Sequence, residues 1–190
     1  MIIGLISYKR SGKDTFADHI VKNYGYTKYS YAGPLKKACE VMFCLSEEQL
    51  DGNLKEVIDP RFGISPRQMF QFVGTEVMRE LFPKISENYT VKESFWIHRF
   101  KIWYEQSNVK NLVVSDVRFP DEAQTIKDMG GILIKINNPH INNSDNHQSE
   151  KNIDELQYDH IIQNDSTLED YYKNIDTLIS RFMCFIPSAS

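Results

Sequence analysis

Cysteine is scarce in this 190-residue sequence: Cys39, Cys44 and Cys184 are three, an odd number. No C-x-x-C spacing joins them, which argues against a disulfide framework and a paired-thiolate zinc site and points to a reducing, cytoplasmic setting. His140 and His147 have no Cys or His partners at supporting spacing, so zinc is not expected there either. No apolar stretch approaches the roughly 18 to 20 residues of a membrane span, and no basic region precedes the short apolar run at the start. Export and membrane insertion are therefore not expected. An excess of positive charge is also missing, with 22 Lys and Arg against 26 Asp and Glu and a formal net charge of −4. A chain held to nucleic acid by a general basic field is not expected, although clustered cations still make a local anion site. The expected partner is a small anion. Internal repeats and low-complexity tracts are absent. What remains is 41% hydrophobic and 25% charged, a balance that suits one globular α/β domain with a sizeable core.

The opening of the chain carries the strongest signal. An apolar run over residues 1–6 breaks into Ser7-Tyr8-Lys9-Arg10-Ser11-Gly12-Lys13-Asp14-Thr15, after which helical spacing begins. This reads as strand, phosphate-cradling loop and helix. Backbone N–H groups of such a loop point inward, the helix N-terminus adds partial positive charge, and Lys13 can reach the terminal phosphates of a nucleotide. Only Gly12 and Lys13 fit the pattern G-x-x-x-x-G-K-[ST] strictly. Ser7 stands where glycine is usual and Asp14 where a hydroxyl is usual. Asp14 is still a hard oxygen ligand suited to magnesium, directly or through water, and Thr15 offers a hydroxyl or N–H to phosphate. Lys9 and Arg10 add two cations inside the loop. A helix capped by Ser11 after a basic turn is the plain alternative.

Further along, spacing predicts a helix over 13–24 closed by Gly25, a short strand over 26–31 that stops at Gly33-Pro34, and a helix over 35–43. Residues 45–65 read as a short helix and an irregular excursion. Ser65-Pro66 opens a helix through Glu80 whose polar members include Arg67, Gln71 and Arg79. Another helix spans about 94–106 and carries Trp96. Residues 111–115 read as a buried strand that ends in Asp116, and the carboxyl end of such a strand is where a ligand site belongs in an open parallel sheet. A helix over 121–129, a strand over 132–136, a polar lid-like loop over about 137–152, a strand over 158–162 and a closing helix capped by Ser166 or Thr167 complete the chain.

Four segments taken together resemble one family: the basic loop 9–15, the turn Ala32-Gly33-Pro34-Leu35-Lys36, the helix segment 67–76 and the strand exit Ser115-Asp116-Val117-Arg118. The chain resembles the deoxynucleoside monophosphate kinases of bacteriophages and large DNA viruses, in order and over nearly its full length. Animal-type phosphomevalonate kinases share the basic loop, the Gly-Pro-Leu-Lys turn and the Ser-Asp-x-Arg exit, and are the competing resemblance. The family match implies a P-loop NTPase fold of the α/β class, three-layer α/β/α with a central parallel sheet as in nucleoside monophosphate kinases. It implies a single kinase domain over 1–190, with a helical acceptor-binding region over about 45–110.

The resemblance also implies roles. ATP is the phosphoryl donor, Mg2+ the metal, and a deoxynucleoside monophosphate the acceptor; a homodimer is left open. Ser11, Gly12, Lys13, Asp14 and Thr15 hold the donor, and Lys13 bridges the β and γ phosphates. Lys9 and Arg10 lie between two polyanions. Asp14 and Asp116 serve the metal, and Arg118 grips phosphate bidentately. Gly33, Pro34, Lys36, Arg67, Gly74, Thr75, Trp96, Asp116, Arg118 and Glu122 line the acceptor side, joined by Glu150 of the segment His147-Gln148-Ser149-Glu150. Trp96 is expected either to stack on a base or to pack in the core, and Gly74 either to face the acceptor or to allow close helix packing. Asp116, Arg118 and Glu122 have as their structural alternative an ion-paired cap on the following helix. A nucleotide-binding switch without transfer is the reading from another class. It wants an Asn-Lys-x-Asp guanine motif, which the sequence lacks, and the cations at both phosphate positions favour transfer.

Overall fold

Ile2–Ile6 is apolar throughout and buried along its whole length, which marks a strand covered on both faces of a parallel sheet. In the computed structural model, which describes residues 1–141 and 152–184, this strand (β1) joins Thr27–Tyr29 (β2), Leu112–Val117 (β3), Ile132–Asn137 (β4) and His160–Gln163 (β5). The strand order is β2-β3-β1-β4-β5 and every pairing is parallel. Helices Lys13–Tyr24 (α1), Pro120–Asp128 (α6) and Leu168–Cys184 (α7) cover the sheet. The pleat assigns them to faces. Ile3 and Leu5 pack in one cluster with Phe16, Ala17 and Ile20 of α1 and with Tyr171, Ile175 and Ile179 of α7. Gly4, between them in the strand, faces Ile126 of α6 on the opposite side. The result is the expected three layers. Each fully buried aliphatic or aromatic side chain here contributes about 1.5–3 kcal/mol.

Contacts gather the chain into two compact units, Met1–Tyr29 with Val109 onward, and Ser30–Asn108. The second is helical: Ala32–Phe43 (α2), Glu47–Leu50 (α3), a 3₁₀ turn at Asn53–Glu56, Pro66–Gln71 (α4), a π-helix at Phe72–Leu81, a 3₁₀ turn at Phe82–Lys84 and Phe95–Ser107 (α5). Its core gathers Cys39, Leu45, Leu50, Met69 and Phe70, with Leu35, Phe43 and Val73 against them. Among the described residues no helix is long and apolar enough to cross a membrane.

Several expected boundaries shift. α2 begins at Ala32, so Gly33 and Pro34 lie inside its first turn and not in a turn before it; proline is tolerated there because the first N–H groups have no intrahelical partner. β2 is shorter than the expected 26–31, and β5 lies two residues later than the expected start. The helix opened by Ser65 is α-helical only to Gln71 and continues as a ten-residue π-helix. β3 extends to Val117, which places Asp116 within the strand. The register runs from Gly4↔Val114 to Ile6↔Val117, so β3 carries one extra residue at 115–116. Such a bulge bends the strand and re-aims the side chains beside it.

Candidate active site

The loop between β1 and α1 is built around one backbone requirement. Gly12 caps α1 at φ 98°, a left-handed conformation that a side chain resists. A Cβ there would also lie 2.5 Å from Asn164 Nδ2. Arg10 takes the left-handed region as well, at φ 66°. Between them Ser11 N–H donates to the Tyr8 carbonyl at 3.3 Å, which closes the turn. α1 thus opens toward the loop with its first N–H groups unpaired within the helix, an anion-binding end.

Side chains from elsewhere in the first unit fix this loop. Asn164 Nδ2 donates to the Ser11 carbonyl at 3.0 Å, and the Tyr171 hydroxyl donates to the Gly12 carbonyl at 3.2 Å. The Tyr8 hydroxyl donates to Asp154, whose other oxygen accepts from Lys135 Nζ at 3.2 Å. The Tyr8 hydrogen bond, with Lys135 behind it, outweighs burial and holds the Asp154 carboxyl below the usual carboxylate range. Ser7 is 3% exposed, and its hydroxyl has no hydrogen-bond partner among the described residues.

Charge at the helix start is paired. Lys13 Nζ lies 2.5 Å from Asp14 Oδ2, and Lys28 Nζ lies 3.1 Å from Asp14 Oδ1 and 2.9 Å from Asp18. Burial pushes the Asp14 carboxyl up, but the ammonium groups of Lys13 and Lys28 outweigh it and hold it below its ordinary value. Lys28 is held above its own, the two carboxylates outweighing its burial. The Asp14 side chain remains 59% exposed, so it is an accessible hard oxygen donor. Among the described residues no three His, Cys, Asp or Glu side chains group into a ready metal cage. An exposed carboxylate such as that of Asp14 is the ligand type magnesium takes, one or two carboxylates with water and phosphate oxygens completing its octahedron.

The second cluster leaves the sheet beside the first. Ile6 pairs with Val117, so Ser7 and Arg118 follow neighbouring strands at the same end of the sheet. The connections out of β1 and β3 run to opposite sides of the strand order, and the crevice at such a switch point is where ligands bind in open α/β sheets. Asp116 is buried at 8% exposure, and Glu122 at 2%. Glu122 Oε2 accepts the backbone N–H of Arg118 at 2.9 Å and of Phe119 at 3.1 Å, a cap on α6 made through backbone donors, where the sequence alternative was an ion-paired one. The carboxylate thereby fixes the backbone from which Arg118 projects. The first unit therefore brings together Lys9, Arg10, Ser11, Gly12, Lys13, Asp14, Thr15, Asp116, Arg118 and Glu122.

Gly33, Pro34, Lys36, Arg67, Gly74, Thr75 and Trp96 lie in the second unit. Lys36 is bonded to Asp51, and Arg67 meets Glu56 through Nε at 3.1 Å and Nη2 at 3.0 Å. Gly74 permits close packing: a Cβ there would lie 2.7 Å from Leu35 Cδ2. Trp96 is 7% exposed and donates from Nε1 to the Gly74 carbonyl at 2.7 Å. Of its two expected roles, burial supports packing. Glu150 and His147 lie outside the described residues. Sequence reasoning missed Asn164, Tyr171, Tyr8, Asp154 and Lys28. Asn164 had a usable signal, since it follows β5 at the carboxyl edge of the sheet.

The family model described as deoxynucleotide monophosphate kinase matches residues 1–58 and 44–175. A protein of Acanthamoeba polyphaga mimivirus, assigned as a deoxynucleotide monophosphate kinase, is 40% identical and aligns over 92% of this chain and 94% of its own. The deoxynucleotide monophosphate kinase of Enterobacteria phage T4 is 24% identical over 92% of this chain and 96% of its own. Among solved structures, shikimate kinase from Aquifex aeolicus superposes with a TM-score of 0.51 at 16% identity, covering 96% of this chain and 98% of that one, which shows the P-loop kinase fold. With a family model matched over most of its length and that viral relative aligned nearly end to end, this chain belongs to the deoxynucleotide monophosphate kinase family.

Proposed function

We infer that the protein transfers the terminal phosphoryl group of ATP to a deoxynucleoside monophosphate, giving the deoxynucleoside diphosphate and ADP. The observation that carries this reading is the loop over residues 7–12, with Gly12 left-handed at the α1 cap and Lys13 immediately after it, in a chain of this family. Lys13 bridges the β and γ phosphates and offsets charge that develops during in-line transfer, a reaction catalysed almost wholly by positioning and electrostatics. Ser11, Gly12 and Thr15 complete the donor cradle. Lys9 and Arg10 screen the repulsion between donor and acceptor. Asp14, with Asp116 as a second carboxylate, would hold magnesium, which when bound would neutralise phosphate charge.

Arg118, set by the Glu122 cap, takes the acceptor phosphate. The second unit is the acceptor-binding region. There Lys36 and Arg67 exchange Asp51 and Glu56 for the nucleotide's anionic or polar edge, and Gly33, Pro34 and Thr75 shape the surface around them. Trp96 serves by fixing the helix that carries Gly74 and Thr75. A coupled assay of ADP release tests the reading, run with ATP and magnesium against each deoxynucleoside monophosphate, the ribonucleotides and phosphomevalonate. Turnover with deoxynucleotides supports it and reveals the base preference. Activity on phosphomevalonate alone, or on nothing, refutes it.

A further inference from the structure

We propose that Asn164 and Tyr171 are positioning residues of the phosphate loop, holding two of its peptide units from behind so that their N–H groups face the donor polyphosphate. The proposal rests on the kinase reading above.

The geometry is specific to peptide units. In a trans peptide the C=O and the N–H point in opposite directions. The Ser11 carbonyl belongs to the same unit as the Gly12 N–H, and the Gly12 carbonyl to the same unit as the Lys13 N–H. Asn164 Nδ2 captures the first carbonyl at 3.0 Å and the Tyr171 hydroxyl the second at 3.2 Å. Each capture turns the attached N–H to the opposite side. The Gly12 carbonyl also accepts the Phe16 N–H at 3.0 Å, so the second unit is fixed by helix and side chain together.

Both anchors are themselves fixed. Asn164 N–H donates to the Asn137 carbonyl at 2.8 Å, at the carboxyl ends of paired β4 and β5. Tyr171 is 2% exposed on α7, and its ring belongs to the sheet core with Phe16 and Ile20. A phenylalanine would satisfy that core. The hydroxyl is what extends beyond it, and a buried tyrosine hydroxyl requires a partner. A Cβ on Gly12 would lie 2.5 Å from Asn164 Nδ2 and 3.2 Å from Tyr171 Cε1, so both anchors lie against Gly12. A loop held in its binding conformation before the ligand arrives loses less on binding and aims its donors without reorganisation.

The test uses Tyr171→Phe and Asn164→Ala in the full chain. The probes are inorganic tripolyphosphate with magnesium, which engages the loop without a base or sugar, and ATP. Affinities are measured by isothermal titration calorimetry well below the melting temperature, beside the KM for the acceptor. Each variant is expected to weaken tripolyphosphate and ATP by the same factor, about threefold to tenfold as for loss of one hydrogen bond, with the acceptor KM unchanged. A purely structural role would lower the melting temperature and leave both affinities of the folded protein intact, which overturns the proposal. Weakened ATP with unchanged tripolyphosphate overturns it too, because the anchors would then act on the nucleoside. Wild-type protein that binds neither probe overturns the kinase reading itself, a result distinct from either. If Tyr171→Phe folds poorly, Asn164→Ala alone decides, since Asn164 is only partly buried.

Discussion

Lys13, Asp14 and Lys28 form a chain of alternating charge at the start of α1, with contacts of 2.5 and 3.1 Å. Asp14 is ionised at neutral pH, held below its ordinary pKa against its burial by the ammonium groups of Lys13 and Lys28, and it pairs with the Lys13 ammonium at the start of α1. Lys13→Ala is expected to lower kcat by about 100- to 1,000-fold, the usual loss when one preorganised charge partner is removed from a transition state. The melting temperature should move by no more than about 2 °C, since a pair to a largely exposed carboxylate adds little stability. A coupled assay and a thermal melt on the same preparation check both, and a retained kcat would remove Lys13 from the reaction. Arg118 is expected to act on the other substrate. With its backbone fixed by Glu122, Arg118→Ala should raise the acceptor KM by about 10- to 100-fold, as for a lost charge-assisted contact, and change ATP affinity less than twofold. Varying each substrate in turn tests this; equal losses for both would move Arg118 to the donor side.

At the scale of elements, the π-helix packs closely against α2 at Gly74. Gly74→Ala would place a methyl 2.7 Å from Leu35 Cδ2. Overpacking of that kind costs about 1–3 kcal/mol, or a melting temperature lowered by about 2–10 °C. Combining it with Leu35→Ala should return part of the loss as a favourable coupling in a double-mutant cycle; strict additivity would show that the two do not meet. The π-helix was not legible in the sequence, because apolar spacing marks a helix and its face without fixing the hydrogen-bond step; close packing at Gly74 was one of its two expected roles, but its partner Leu35 was not identified. β1 and α1 were legible. An apolar run, a Gly-Lys loop and helical spacing closed by Gly25 are local signals, and α1 spans the expected residues. The β3 bulge was not, since it exists only in the register of 115–116 against β1. The same reason hid the anchors of the loop: Asn164 meets Ser11 across 153 residues, and Tyr171 meets Gly12 across 159. Local pattern finds the loop; only tertiary packing shows what braces it.

Across the whole molecule, titratable groups are displaced in a way that confines stability to a pH window. Asp14, Asp154, Asp159, Asp170 and Asp176 in the first unit, and Asp59 and Glu93 in the second, are all held below their ordinary values by hydrogen bonds and neighbouring cations. As pH falls through about 4 the unfolded chain takes up protons that the folded one resists, so stability contributed by these carboxylates is present above about pH 5 and is lost below it. The alkaline side has the opposite sign. Burial pushes the Cys39 thiol up to about 11 and the Tyr26 hydroxyl up to about 12. The unfolded chain therefore releases protons first, from about pH 8.5 for the thiol and about 10 for the phenol, and each contribution is lost as pH rises from there. Urea midpoints followed by tryptophan fluorescence should be flat between about pH 5 and 8 and fall on both sides. Both tryptophans, Trp96 and Trp103, lie in the second unit with Cys39, so they report on the unit where the thiol titrates. Cys39→Ala should move the onset of the alkaline decline from about pH 8.5 toward about 10, where tyrosine takes over, and leave the acid limb in place. An unchanged alkaline onset in that variant would show that Cys39 ionises alike in the folded and unfolded chains and that burial does not hold its proton.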